Sequence, residues 1–337
     1  MATSLSAASE YDHSLVNEYL KKYYEDNTLA AHLNKEILLY FECCRYFKDD
    51  VRPILLKLGY GLSKINRGRN YITHAMSAIH LLLLSAIPVD DIVDGLDNEG
   101  NLEENELSKK VSLAYSLSTK MREDARLILL KQYKSSAALN HIMEIISQFL
   151  EVQDASHTLE VHRHSGIPFS KYSLDEYLLL IDHATANFVA ESFVIGGLLG
   201  NVDKKTEKNM RDFGIQLGRL CQIRDDYLDY IDNQVTGKLP FADLYGKRKR
   251  FPLLSVFWFG TNTQKQEVSH ILSKKKILNS DIYNVIEMMT NTTIKNRCLN
   301  VIKSIRDKAD QKLTLLPKNN PSHDALSEML DLFAMQS

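Results

Sequence analysis

The sequence predicts an all-α protein built as one domain, and three observations lead there. Its 337 residues hold only 14 Gly and 7 Pro, with long stretches free of both. Apolar residues recur at three- and four-residue steps over most of the chain. No strand series, tandem repeat or linker interrupts them.

Residues 1–12, rich in Ser and Ala, read as a disordered leader, with the domain at 13–337. From Ser14, Leu15, Tyr19, Leu20, Tyr23 and Tyr24 mark a first helix, and Leu33, Ile37, Leu38 and Phe41 a second. Pro53 marks a break or a first helical turn before residues 54–60. Residues 72–94 form an apolar helix that Pro88 is expected to kink by removing the bond to the Leu84 carbonyl. After a loop at 97–101, helices are expected over 107–131 and 138–161. Beyond the loop 162–168, Ser173 is placed to N-cap a helix over 174–199. A helix over 206–232, a basic loop over 233–251, and helices over 253–258, 264–272, 280–289, 293–315 and 323–335 complete the chain.

Composition narrows the partners. A formal net charge of -2 gives no overall pull towards nucleic acid or anionic membranes. Cys43, Cys44, Cys221 and Cys298 form no C-x-x-C pair and read as reduced, buried thiols. No secretory signal is recognisable at the N-terminus, and the longest strongly apolar run, 81–89, is short for a bilayer. A cytoplasmic protein without a transmembrane segment is expected.

Two acidic stretches organise the chain, Asp90-Asp91-Ile92-Val93-Asp94 and Asp225-Asp226-Tyr227-Leu228-Asp229, each reading D-D-x-x-D. On a helix, residues i and i+4 share a face, so Asp90 with Asp94, and Asp225 with Asp229, point carboxylates to one side. Like charges so placed repel, and doing this twice asks for a shared cation. Mg²⁺ is usually held by one or two carboxylates plus waters and phosphate oxygens. The alternative is a pair of solvated acidic faces. The flanks oppose it, since the first cluster follows the apolar run 78–89 and the second follows Leu220-Cys221-Gln222-Ile223.

Past the second cluster lie Gly237-Lys238, Asp243 and Lys247-Arg248-Lys249-Arg250. Cations beside carboxylates suggest phosphate groups between them, bridged to the acids by metal and gripped by the bases directly. A solvated basic loop is the alternative. The combination suits ionisation of an allylic diphosphate, where metal and cations take up charge on the leaving group and a dry pocket shelters the carbocation.

From Gln222-Ile223-Arg224-Asp225-Asp226-Tyr227-Leu228-Asp229 through Pro252-Leu253-Leu254 the chain resembles the trans-prenyltransferase superfamily, the isoprenyl diphosphate synthases and their terpene-synthase relatives. The resemblance extends over residues 30–335. It implies a single-domain isoprenoid-synthase helical bundle with a central apolar cavity, a homodimer, and three Mg²⁺ ions on the diphosphate of an allylic isoprenyl diphosphate. Asp90, Asp91 and Asp94 match the first metal-binding motif and Asp225, Asp226 and Asp229 the second. Lys238 matches the lysine that grips the diphosphate, and Asp243 and Arg248 the acid and base beyond it. Arg224 is counted with the diphosphate-binding residues and Gln222 with the pocket.

The departures bear on the reaction. The segment that binds isopentenyl diphosphate in elongating synthases, G-K-x-x-R, here reads Lys48-Asp49-Asp50-Val51-Arg52-Pro53, which keeps Arg52 but puts Asp49 at the lysine position. Leu83 stands where the family has His or Gln, and Asn98-Glu99 where it has two arginines. An acid at a diphosphate site repels the ligand; Lys48, Arg67 and Arg69 remain to compensate. The expected lysine–threonine pair reads Ala184-Thr185, with His183 a substitute donor if protonated or else a plain buried histidine. Ser85 and Ala86 are small where aromatics close the pocket for short products, implying substrates of about C15 to C20 or longer. Phe188, Phe193 and Tyr227 either line that pocket or belong to ordinary core.

These features rank a terpene synthase first, in which the cation cyclises, loses a proton or meets water. Prenyl transfer to an acceptor other than isopentenyl diphosphate follows, then a chain-elongating synthase with a remodelled acceptor site. A non-catalytic synthase subunit comes last, because a structural subunit has no need of six mutually repelling aspartates.

Overall fold

Segments without Gly or Pro and with apolar residues three and four apart become helices throughout. The computed structural model describes residues 4–28, 30–44, 50–63, 65, 67–96, 104–158, 166–231, 241–318 and 320–334, and among them no strand occurs. In chain order the α-helices are α1 (Ser4–Asp26), α2 (Ala31–Cys43), α3 (Val51–Gly61), α4 (Arg69–Leu96), α5 (Glu104–Gln132), α6 (Leu139–Thr158), α7 (Leu174–Ile181), α8 (Asn187–Leu199) and α9 (Lys204–Ile231). They continue as α10 (Ala242–Tyr245), α11 (Phe251–Phe259), α12 (Asn262–Ser273), α13 (Asn279–Thr290), α14 (Thr292–Leu313) and α15 (Pro321–Phe333).

Three expectations change. The leader is not coil, since α1 starts at Ser4: residues 4–26 contain no Gly or Pro and are rich in good helix formers. Asp12, placed in that leader, is buried and ion-paired to Lys57. Helix α4, Arg69–Leu96 with Pro88 inside it, is longer at both ends than the expected 72–94. The helix expected over 174–199 is interrupted by a π-helical turn, Asp182–Ala186, between α7 and α8. Its start is as expected, with Ser173 and Glu176 forming a reciprocal capping box.

The chain groups into two compact units. The first comprises Met1–Ile146, Ser192–Met210 and Pro317–Leu326. There α4 packs on α1, α3 and α5. Its middle is apolar nearly all round, so Ala75, Met76, Ile79, Leu81, Leu82 and Leu84 are all buried. Helix α3 begins at Asp50, whose carboxylate accepts the N–H of Arg52, and Pro53 falls in the first turn, where its missing N–H costs nothing.

The second unit comprises Ser147–Glu191, Arg211–Leu316 and Ser327–Ser337. Its core helix is α11, buried from Phe251 to Phe257 and packed against α12, α13 and α14. Here α9 approaches the π turn and the start of α8 through Gly214 and Gly218. A Cβ at Gly214 would fall 2.5 Å from Cα of Ala190, and one at Gly218 2.6 Å from Cα of Ala186.

Two stretches, Asn70–Ile92 and Leu174–Leu199, are long and apolar enough to cross a membrane, so the short run 81–89 understated them. Most of each is buried inside the structure, as core helices are.

Candidate active site

The first aspartate cluster sits at the C-terminal end of α4 in the first unit. Asp90 is half-buried and Asp91 exposed; the side chain of Asp94 lies outside the described residues. Ser85 and Ala86, expected to open a pocket, are packed away. Ser85 is fully buried and spends its hydroxyl on the Leu82 carbonyl at 2.7 Å. Tyr40 on α2 joins this cluster without having been foreseen. Burial and the nearby Cys44, Asp91 and Asp90 together push its phenol well above the ordinary range. No spacing rule links Tyr40 to residues 50 positions later, so nothing in the sequence marked it.

Arg52 is engaged by the protein itself. Its Nη1 lies 3.0 Å from Oδ1 of Asp50, whose Oδ2 is 3.0 Å from Nδ1 of the fully buried His80. Burial pushes the Asp50 carboxyl up, but the Arg52 guanidinium and the His80 hydrogen bond outweigh it and leave the group below its usual value.

In the second unit the glycines of α9 set up a polar line. Gly214, Gly218, Gln222 and Asp226 recur every four residues and share one face. Close approach at the glycines brings Thr185, in the π turn, to donate to Oε1 of Gln222 at 2.6 Å. Gln222 in turn donates to Oδ1 of Asp226 at 2.8 Å. The other oxygen of Asp226 accepts the hydroxyl of Tyr177 at 2.7 Å and the backbone N–H of Phe251 at 3.1 Å. Asp226 is thus buried and met by three donors, whereas Asp225 is half-buried. Burial pushes the Asp226 carboxyl up to about 6, with Arg250 pulling it down and Asp243 adding to the rise.

His183 is half-buried in the π turn, and its Nδ1 is buried with no hydrogen-bond partner among the described residues. Single π turns are often found at functional sites. Phe188 stacks on Phe149 with ring centroids 4.0 Å apart, as ordinary core does. Arg224 turns towards α15, its guanidinium 5.9 Å from the Phe333 ring centre.

The described part of the basic segment, residues 241–251, differs from the solvated loop that stood as the alternative reading. Asp243 is buried, and a buried carboxylate needs cations and donors around it. Arg248 answers it at 3.4 Å and Arg250 at 4.0 Å. Lys247 donates to the Lys274 carbonyl at 2.9 Å, and Lys249 lies 4.9 Å from the Phe169 ring centre. Each of the four cations therefore has a structural contact. Lys238, like Lys48, Asp49, Asn98 and Glu99, lies outside the described residues, as does the side chain of Asp229.

Within the two motifs, the described carboxylates that are not fully buried are those of Asp90 and Asp91 in the first unit and Asp225 in the second. Among the described residues no three acidic, histidine or cysteine side chains converge. Mg²⁺ needs no such trio when phosphate oxygens and waters complete its shell, and the carboxylate oxygens of each cluster are of the kind it takes.

The sequence model of the polyprenyl synthetase family matches residues 48–289. A geranylgeranyl diphosphate synthase of Saccharolobus solfataricus is 23% identical over 163 residues, 48% of this chain, which spans about half the length (49%) of that relative. A polyprenyl synthase from Caulobacter crescentus CB15, solved with calcium and isoprenyl diphosphate, superposes with a TM-score of 0.81 at 19% identity, covering 99% of this chain and 97% of that one. A geranylgeranyl pyrophosphate synthase from Corynebacterium glutamicum, solved with isoprenyl diphosphate and magnesium, gives 0.82 at 14% identity, covering 97% and 99%. At these identities the likeness establishes the all-α fold of such synthases.

Proposed function

The chain belongs to the polyprenyl synthetase family, and from that premise we propose that it is a metal-dependent prenyltransferase that ionises an allylic isoprenyl diphosphate and passes the prenyl group to an acceptor. The observation that carries this reading is that the matched residues, 48–289, include both aspartate clusters. The similar proteins are synthases by name, which favours prenyl transfer over the cyclisation ranked first on the sequence.

In the proposed reaction the allylic C–O bond breaks, its electron pair leaves with the diphosphate, and the cation bonds to the acceptor, which then loses a proton. Bound Mg²⁺ would supply neutralisation of the leaving group's charge. Each cluster would offer it carboxylate oxygens, Asp90 and Asp91 with Asp94, the i+4 partner of Asp90, in the one, and Asp225 with its i+4 partner Asp229 in the other. Lys238 would grip the diphosphate directly. His183, with a ring nitrogen still to be satisfied, takes the place of the lysine missing beside Thr185. Asp226, met by three donors, acts as a brace for α9 instead of a ligand.

The test incubates the protein and Mg²⁺ with geranyl, farnesyl and geranylgeranyl diphosphates, alone and with isopentenyl diphosphate or aromatic acceptors. A prenylated product that forms only with an acceptor is expected, and Asp90→Ala or Asp225→Ala should abolish it without altering the thermal melt. Hydrocarbon or alcohol from the allylic diphosphate alone would return the cyclising reading to first place. Unchanged turnover in both variants would remove the metal mechanism.

A further inference from the structure

We propose that Asp50 is a specificity-determining residue that withholds Arg52 from anionic ligands, so that the acceptor bound beside α3 carries no diphosphate there. The inference rests on the prenyltransferase reading for the identity of the ligand; the clamp itself rests on contacts in the first unit.

Asp50 does more than a helix cap requires. Capping α3 needs one oxygen and no charge, and Ser, Thr or Asn would serve. Here a carboxylate stands in that place with its side chain fully buried. One oxygen accepts both the backbone N–H and Nη1 of Arg52, each at 3.0 Å, while the other is fixed by His80 at 3.0 Å. Both side chains are closed in, with that of Arg52 only 14% exposed.

Such a pair cancels at short range the field that an incoming anion would feel. A diphosphate would have to draw the guanidinium off a carboxylate that cannot follow it, because His80 and the cap hold Asp50 in place. Doing so would strand a charge in the interior, which is strongly disfavoured. Asp49, the next residue back, adds a second acid to the same stretch of chain.

The probes are isopentenyl diphosphate and inorganic pyrophosphate, titrated calorimetrically into the full-length protein with chelator present, so that metal-dependent binding at the aspartates is silent. Asp50→Asn keeps a capping oxygen and removes the charge. It is expected to bind isopentenyl diphosphate about tenfold or more tightly than the wild type, the size of one charge-assisted hydrogen bond. Adding Arg52→Gln should return that gain. No gain in Asp50→Asn, or a gain that survives Arg52→Gln, overturns the proposal. Asp50→Ser repeats the measurement if the asparagine variant does not fold. If neither folds, Arg52→Gln in the wild-type background decides: an affinity within about twofold of wild type supports the clamp, and a larger loss overturns it. Allylic turnover is assayed separately, so a failure of the prenyltransferase reading leaves the binding result standing.

Discussion

Asp50 and Asp226 are both interior carboxylates whose surroundings shift them in opposite directions. Asp226 gains three donors, but its burial prevails and pushes its carboxyl up to about 6. Its folded value is above the unfolded one, so its contribution to stability is present at low pH and is lost as pH rises through about 6. Asp50 is equally enclosed, yet Arg52 and His80 place its folded value below the ordinary one. Its contribution is therefore present above the unfolded value, about 3.9, and is lost as pH falls through the lower folded value. Comparing wild type with Asp50→Asn isolates that term. The gap between their melting temperatures should stay wide above about pH 5 and narrow below about pH 4. Parallel curves over that range would show that Asp50 is not held ionised by its neighbours.

At the scale of elements, the π turn and the glycine face of α9 form one device. Gly214 and Gly218 let backbones approach so closely that Thr185 reaches Gln222, and Gln222 reaches Asp226 one turn further on. Gly218→Ala poses two opposing effects. Helix propensity gains up to about 1 kcal/mol, while a methyl placed 2.6 Å from Cα of Ala186 overpacks the joint at a cost of about 1–3 kcal/mol. Overpacking is the larger, so the variant should melt lower and lose turnover as Gln222 moves away. A denaturant titration showing equal or greater stability would mean that the joint relaxes freely. The helices themselves were legible from apolar spacing, and Ser173 from its position as a cap, because both signals are local. The π turn was not, since one extra residue in a helix leaves no periodic mark over five positions.

For the molecule as a whole, the motifs and their order were legible because each is a short run with its own chemistry. The partners of those motifs were not. Tyr40 beside Asp91, Asp50 beneath Arg52, and the buried Asp243 that occupies Arg248 and Arg250 all come together through tertiary folding between positions with no shared pattern. A cation in a sequence says nothing about whether a carboxylate already claims it, and that is where the reading of the basic segment changed.

The bond from the Phe251 amide to Asp226 carries one more consequence. Helix α11 starts there with no cap from its own Arg250, and takes its first acceptor from a helix 25 residues earlier. That proton can exchange with solvent only when α9 and α11 part, so its hydrogen–deuterium exchange rate is a clock for the cooperative opening of the second unit. In the wild type the Phe251 amide should rank among the slowest to exchange in that unit, and Asp226→Ala should speed it about tenfold or more while amides in the middle of α14 slow or quicken only with global stability. Equal rates in the two proteins would mean that the start of α11 is protected by burial alone.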